Sequence, residues 1–153
     1  MRTLLVLFSF LLLLAGSATA QSAQDTVRFY QLEAAGSVPR VVEKVKMEIN
    51  KRRLQIFSIT DHGSAAADAK MDLSPTVLIT FGNPGVGTLL MQADPRMGAE
   101  LPLKILVWEE DGRTYVGYAN PLNWLGEYRL DSQTETVNKI SQIMGGILIH
   151  ACQ

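Results

Sequence analysis

The run Pro75-Thr-Val-Leu-Ile-Thr-Phe-Gly-Asn-Pro-Gly-Val-Gly-Thr-Leu-Leu-Met91 limits the possible folds more than any other stretch. Thr76 to Phe81 holds β-branched and apolar residues with no charge among them, which predicts a strand covered on at least one face. A glycine-rich loop, Gly82 to Gly87, follows, and a short helix is expected from Thr88. Glycine tolerates positive φ and close backbone approach, while Pro84 fixes its own φ and restricts Asn83. A buried strand that runs into a shaped turn is the first place to look for a functional surface.

The beginning of the chain has the order of an export signal. Arg2 is the positive end, Leu4 to Leu14 the apolar run, and Ala18-Thr19-Ala20 a small-residue cleavage site. That run is shorter than the about 20 apolar residues a bilayer span needs. Cleavage after Ala20 is therefore expected to leave a periplasmic or secreted protein with no stable membrane anchor. A polar, disordered Gln21 to Gln24 is expected next, then a single α+β domain over residues 25–153, long enough for a core without disulfide staples. Cys152 is the only cysteine, so no internal bridge can form. The 14 Lys and Arg nearly balance the 15 Asp and Glu. Without a field of one sign, nucleic acid is not an expected partner.

Val27 to Glu33 alternates imperfectly as a first strand. Ser37 to Arg53 predicts an amphipathic helix, because Val38, Val41, Val42, Val45 and Ile49 make one stripe at helical period. The basic end, Lys51 to Arg53, suits the helix C-terminus. Leu54 to Thr60 is a second strand, and the small residues Ser64 to Ala69 suggest a short helix after it. Met97 to Pro102 reads as a loop. Leu103 to Glu109 and Arg113 to Tyr118 form a hairpin around Asp111-Gly112, which suits a type I′ turn. Asn120-Pro121 starts a short helix. Ser132 and Glu135 have capping-box spacing for a last helix. Gly145-Gly146 inside it predicts either fraying after Met144 or close approach of another backbone. Strand, helix, four antiparallel strands and helix, with a small extra helix after strand two, define an α+β fold whose sheet is covered on one face.

Chemistry-bearing residues are few. Gly82, Asn83, Pro84, Gly87 and Thr88 lie between a strand and a helix start, where backbone N–H groups can hold an anion. Neither a Gly-Lys-Ser/Thr phosphate loop nor a full dinucleotide fingerprint is present, and a tight turn packed on the sheet fits the same residues. Asp61-His62 could be an oriented base or a hydrogen-bonded structural histidine at a strand end. His150 is the only other histidine, and Glu109-Glu110-Asp111 has no ligand ladder, so no metal site and no cofactor is expected. Trp108, Trp124, Tyr115 and Tyr118 could line an apolar pocket or simply pack the core.

Several motifs occur together in one order. They are Asp61-His62 with the alanine-rich segment, Leu73-Ser-Pro-Thr76, Phe81-Gly-Asn-Pro84, Gly87-Thr-Leu-Leu-Met91, Leu101-Pro102 before Val-Trp-Glu-Glu-Asp-Gly, and Tyr118-Ala-Asn-Pro121. In them the chain resembles the family called domain of unknown function 302. That resemblance implies a fold like that of the TATA-box-binding protein, without its DNA binding, and a homodimer. It also implies an arginine-histidine pair near Gly126 to Arg129, where this chain carries Glu127-Tyr128-Arg129. No role of that histidine carries over.

Three functions fit these residues. The first is a binding module in which Asp61, His62, Gly82, Asn83, Pro84, Gly87 and Thr88 line a pocket for a small anionic or amphipathic ligand. The second is a structural or interaction homodimer without a ligand. The third is a hydrolase or isomerase with His62 as general base and loop N–H groups as an oxyanion site.

Overall fold

A computed structural model describes residues 27–153, so the expected signal and Gln21 to Gln24 lie outside the described residues. The strands are β1 (Phe29–Ala34), β2 (Gln55–Asp61), β3 (Thr76–Gly82), β4 (Leu103–Glu110) and β5 (Arg113–Ala119). The helices are α1 (Val38–Lys51), α2 (His62–Asp68), α3 (Pro84–Ala93), α4 (Trp124–Glu127) and α5 (Thr134–Cys152). The strands form one sheet in the order β1-β5-β4-β3-β2, and every neighbouring pair is antiparallel.

Alternation along the strands sorts the sheet into two faces. Ile79 pairs with Ile105, Phe81 with Leu103, and Val107 with Val116, and all six are buried on the helix side. The valine and isoleucine stripe of α1 covers this face together with Val137, Ile140, Met144 and Ile147 of α5. Each side chain fully removed from water contributes about 1.5–3 kcal/mol, and conformational entropy offsets most of the sum. The opposite face carries no helix among the described residues. Phe29, Trp108 and Tyr115 pack there, with ring centroids 6.2 Å apart for Phe29–Trp108 and 5.5 Å for Trp108–Tyr115.

The hairpin forms as its sequence predicts. Asp111 and Gly112 both have positive φ, 51° and 73°. The basic end of α1 is more tightly held than a solvated tail: Lys51 and Arg52 both pair with the buried Glu48, each at 2.6 Å.

Two helix expectations need correction. No capping box closes α5, because Asp131–Gln133 is a 3-10 turn and Gln133 stands at the N-cap without a side-chain bond. The buried Leu130 anchors that turn, and the Gln133 N–H donates to its carbonyl. Nor does α5 end at Met144; it continues to Cys152. Gly146 makes room for a side chain rather than a backbone, since a Cβ there would lie 3.0 Å from Arg52 Nη2.

Gly117 has the tightest surroundings in the sheet. An added Cβ would lie 2.8 Å from the Tyr30 carbonyl oxygen and would strike the Phe29 ring. Gly117→Ala should therefore destabilise the fold by about 1–3 kcal/mol. The midpoint of a urea transition measures this, and an unshifted midpoint contradicts the packing described.

Candidate functional site

The expected loop is largely helix. α3 begins at Pro84, not near Thr88, and Asn83 is its N-cap. The Asn83 Oδ1 accepts from the N–H groups of Gly85, at 2.9 Å, and Val86, at 3.4 Å. Pro84 occupies the first helical position, where a missing N–H is harmless. Glycine content pointed to a loop, but Asn-Pro is the stronger signal, the same one that starts the 3-10 turn at Asn120-Pro121.

None of Gly82, Gly85 and Gly87 has positive φ; among described glycines only Gly36 and Gly112 do. Their value lies in missing volume. A Cβ on Gly82 would meet only Phe57, at 3.6 Å, and one on Gly87 only Leu101, at 3.5 Å. Across from them Gly98 has only the Met91 sulfur, at 3.6 Å. Gly82, Gly87 and Gly98 border a cavity of about 430 Å³ between α3, the start of β2 and α5. Leu54 and Phe57 form one wall, Leu90 and Met91 another, and Ile140 and Ile143 of α5 the third. Asn83, Pro84 and Thr88 stand at its edge, and Leu101 and Pro102 close the remaining side.

Of the polar groups at the cavity, the Asn83 side-chain oxygen, the Thr88 hydroxyl and the Gly87 N–H are already engaged, and the Asn83 amide nitrogen is not. Asn83 caps the helix, and the Thr88 hydroxyl donates to the Pro84 carbonyl at 2.8 Å. The Gly87 N–H donates to the Asn83 carbonyl at 3.0 Å. No row of free N–H groups remains to bind an anion inside.

The two halves of the expected site are separated. Asp61 pairs with Val77 and Gln55 with Gly82, so His62 and Asn83 lie at opposite ends of β3. At about 3.3 Å per strand residue, roughly 20 Å lies between them. Antiparallel pairing of β2 with β3 forces this: the end of one strand meets the start of the next. Asp61 and His62 do not line the cavity. Asp61 instead caps α2, accepting from the Ser64 N–H at 2.9 Å and hydroxyl at 2.8 Å, and these bonds hold its carboxyl below the usual range. His62 is exposed at the first residue of that helix. A base beside an oxyanion site is not assembled. The four large aromatics do not line the cavity either: Tyr118 and Trp124 pack in the core.

Sequence reading also missed what supports the far wall. Met97 to Pro102 is not all loop, since Pro95–Ala99 is a 3-10 turn. The buried Asp94 fixes it, accepting from Arg96 Nη2 at 2.7 Å and from the Arg129 N–H at 3.1 Å. Tyr128 Oη donates to Glu100 at 2.6 Å, and the Arg96 guanidinium stands 5.3 Å from the Tyr128 ring centre. Residues 127–129, where the family resemblance implied arginine and histidine, thus brace the turn behind Gly98 and Leu101. Arg96 lies two residues from Asp94, but the Arg129 N–H that completes its bonding comes from 35 residues onward.

An antiparallel five-stranded sheet with two long helices on one face and a cleft at one end defines an α+β domain. The chain belongs to the family described as domain of unknown function DUF302, whose family model matches residues 30–147. The crystal structure of an uncharacterized conserved DUF302 protein from Bacillus stearothermophilus is similar, with a TM-score of 0.75 at 17% identity, over 84% of this chain and 100% of that one. That likeness shows the fold. Fluoride-specific ion channel FluC 1 of Brucella suis biovar 1 (strain 1330) is 30% identical over 138 residues, covering 82% of this chain and 54% of the relative. FluC 2 of Brucella melitensis biotype 1 (strain ATCC 23456 / CCUG 17765 / NCTC 10094 / 16M) is equally identical, with 51% of its length covered. The chain spans about half the length of these curated relatives. Among the described residues no helix is long and apolar enough to cross a membrane.

Two outcomes follow. Arg96, then the Arg129 N–H, holds the Asp94 carboxyl well below the usual carboxylate range. Its stabilising effect is complete above the unfolded value of about 4 and is lost as pH falls through the folded value. Asp94→Asn should flatten the acid limb of melting temperature against pH, and a slope equal to the parent's contradicts this. Asn83→Ala should cost about 1 kcal/mol through the lost cap, whereas His62→Ala, exposed, should stay within about 0.5 kcal/mol in the same urea titration.

Proposed function

We propose that this is an exported binding module that holds the apolar part of a small ligand between α3, β2 and α5. One observation carries the reading: a cavity of about 430 Å³ whose lining is almost wholly apolar and whose few polar side chains serve to bond the backbone of α3. Ligand pockets usually have about 300–1,000 Å³ and apolar walls. Gly82, Asn83, Pro84, Gly87 and Thr88 belong to this site, and Asp61 and His62 do not. A compact charged ligand would lose its hydration with only the Asn83 amide as a donor in return, so the ligand is amphipathic or apolar. The same argument disfavours fluoride, the ion for which the longer relatives are named, as an occupant of this cavity.

Binding of the neutral fluorophore N-phenyl-1-naphthylamine tests the reading. The parent should bind it saturably with a blue-shifted emission. Gly87→Leu, which puts a good helix former into the void, should keep the fold and lose at least about nine tenths of the signal. No saturable binding by the parent, or full binding by the variant, removes the proposal.

A second reading concerns assembly. The uncovered sheet face bears Phe29, with 43% of its surface exposed, beside Trp108 and Tyr115. Contiguous apolar surface of this kind favours an interface, and a second copy of this chain is the proposed partner. Sedimentation equilibrium should show a dimer that Trp108→Glu dissociates. A monomer at all concentrations overturns it.

A further inference from the structure

We propose that the ligand is an amphiphile with an anionic head, its tail in the cavity and its head outside against Arg53 and Lys139. This rests on the cavity being a binding site and adds the chemistry of the part that stays in water.

Four charged residues adjoin the lining directly in sequence: Arg53 before Leu54, Glu100 before Leu101, Lys104 after Leu103, and Lys139 before Ile140. Two of them are engaged. Glu100 accepts from Tyr128, and Lys104 donates to the carbonyls of Glu100, at 2.6 Å, and Pro102, at 3.2 Å. Arg53 and Lys139 are both exposed, and neither has an ion-pair partner within the described residues.

The two cations belong to one side of the molecule. Arg52 meets α5 at Gly146, and Lys139 lies two helical turns before that point, roughly 10 Å along the axis. Arg53 is the next residue after Arg52, held at φ 55° in the turn that delivers Leu54 to the cavity. The cleft is therefore apolar within, and two unpaired positive charges, but no unengaged carboxylate, stand next in sequence to its walls. A cationic head meets two like charges, a neutral head is indifferent, and an anionic head gains two ion pairs in water.

Ligands sharing a ten-carbon tail separate the head from the tail. Decanoate, decyl maltoside and decyltrimethylammonium should be titrated by calorimetry at low ionic strength, each below its micelle concentration. Decanoate should bind about tenfold tighter than decyl maltoside, from two exposed pairs, and decyltrimethylammonium most weakly. The double variant Arg53→Gln/Lys139→Gln should bring decanoate to the affinity of decyl maltoside and leave decyl maltoside unchanged. High salt should do the same to the parent. Equal affinities for all three heads, or a preference for decanoate that survives the double variant, overturn the inference and leave the cavity reading intact. No binding of any decyl compound, together with no binding of the neutral fluorophore, removes both.

Discussion

The fold depends on one buried contact layer: the Ile79, Phe81, Ile105, Val107 and Val116 side of the sheet against the valine stripe of α1 and the apolar side of α5. Hydrophobic burial is non-directional, but the alternation of strands and the period of helices make it directional in effect. Once β3 and β4 turn these residues inward, α1 and α5 must lie on that face. The other face is left with Phe29, Trp108 and Tyr115 in partial contact with water.

The cleft follows from the same layer. The two long helices cover the sheet, while α3 leaves it at Asn83 and runs off beyond the end of β3. A gap between α3 and α5 remains at that corner. Large side chains at positions 82, 87 and 98 would fill it, and glycine stands at all three. Asp94, Arg96, Tyr128 and Glu100 brace the outer wall by charged hydrogen bonds, so the gap does not simply collapse. An apolar cavity with a fixed wall is a small loss of packing, and it is the feature on which the proposed binding function rests.

Much of the architecture was legible because its signals are local. The stripe from Val38 to Ile49 announces α1, Asp111-Gly112 announces the hairpin, and β-branched and apolar residues with no charge among them announce β3. Errors arose where two local signals competed. Three glycines suggested a loop after β3, yet Asn83-Pro84 started a helix there: the cap and the preset φ offset part of the glycine cost, and packing of Leu90 into the core adds to them. Ser132 and Glu135 had capping-box spacing, but the burial of Leu130 set the chain's entry into α5 instead.

The order of elements and the sheet's buried side were determined by the sequence, since each rests on periodicity or on neighbours in the chain. Which residues border the cavity was decided only in three dimensions. Antiparallel pairing sends His62 and Asn83 to opposite ends of β3, and packing brings Leu54, Leu101 and Ile140 together from distant segments. Spacing along a chain gives face and direction; only the register of its strands and the crossing of its helices set distance.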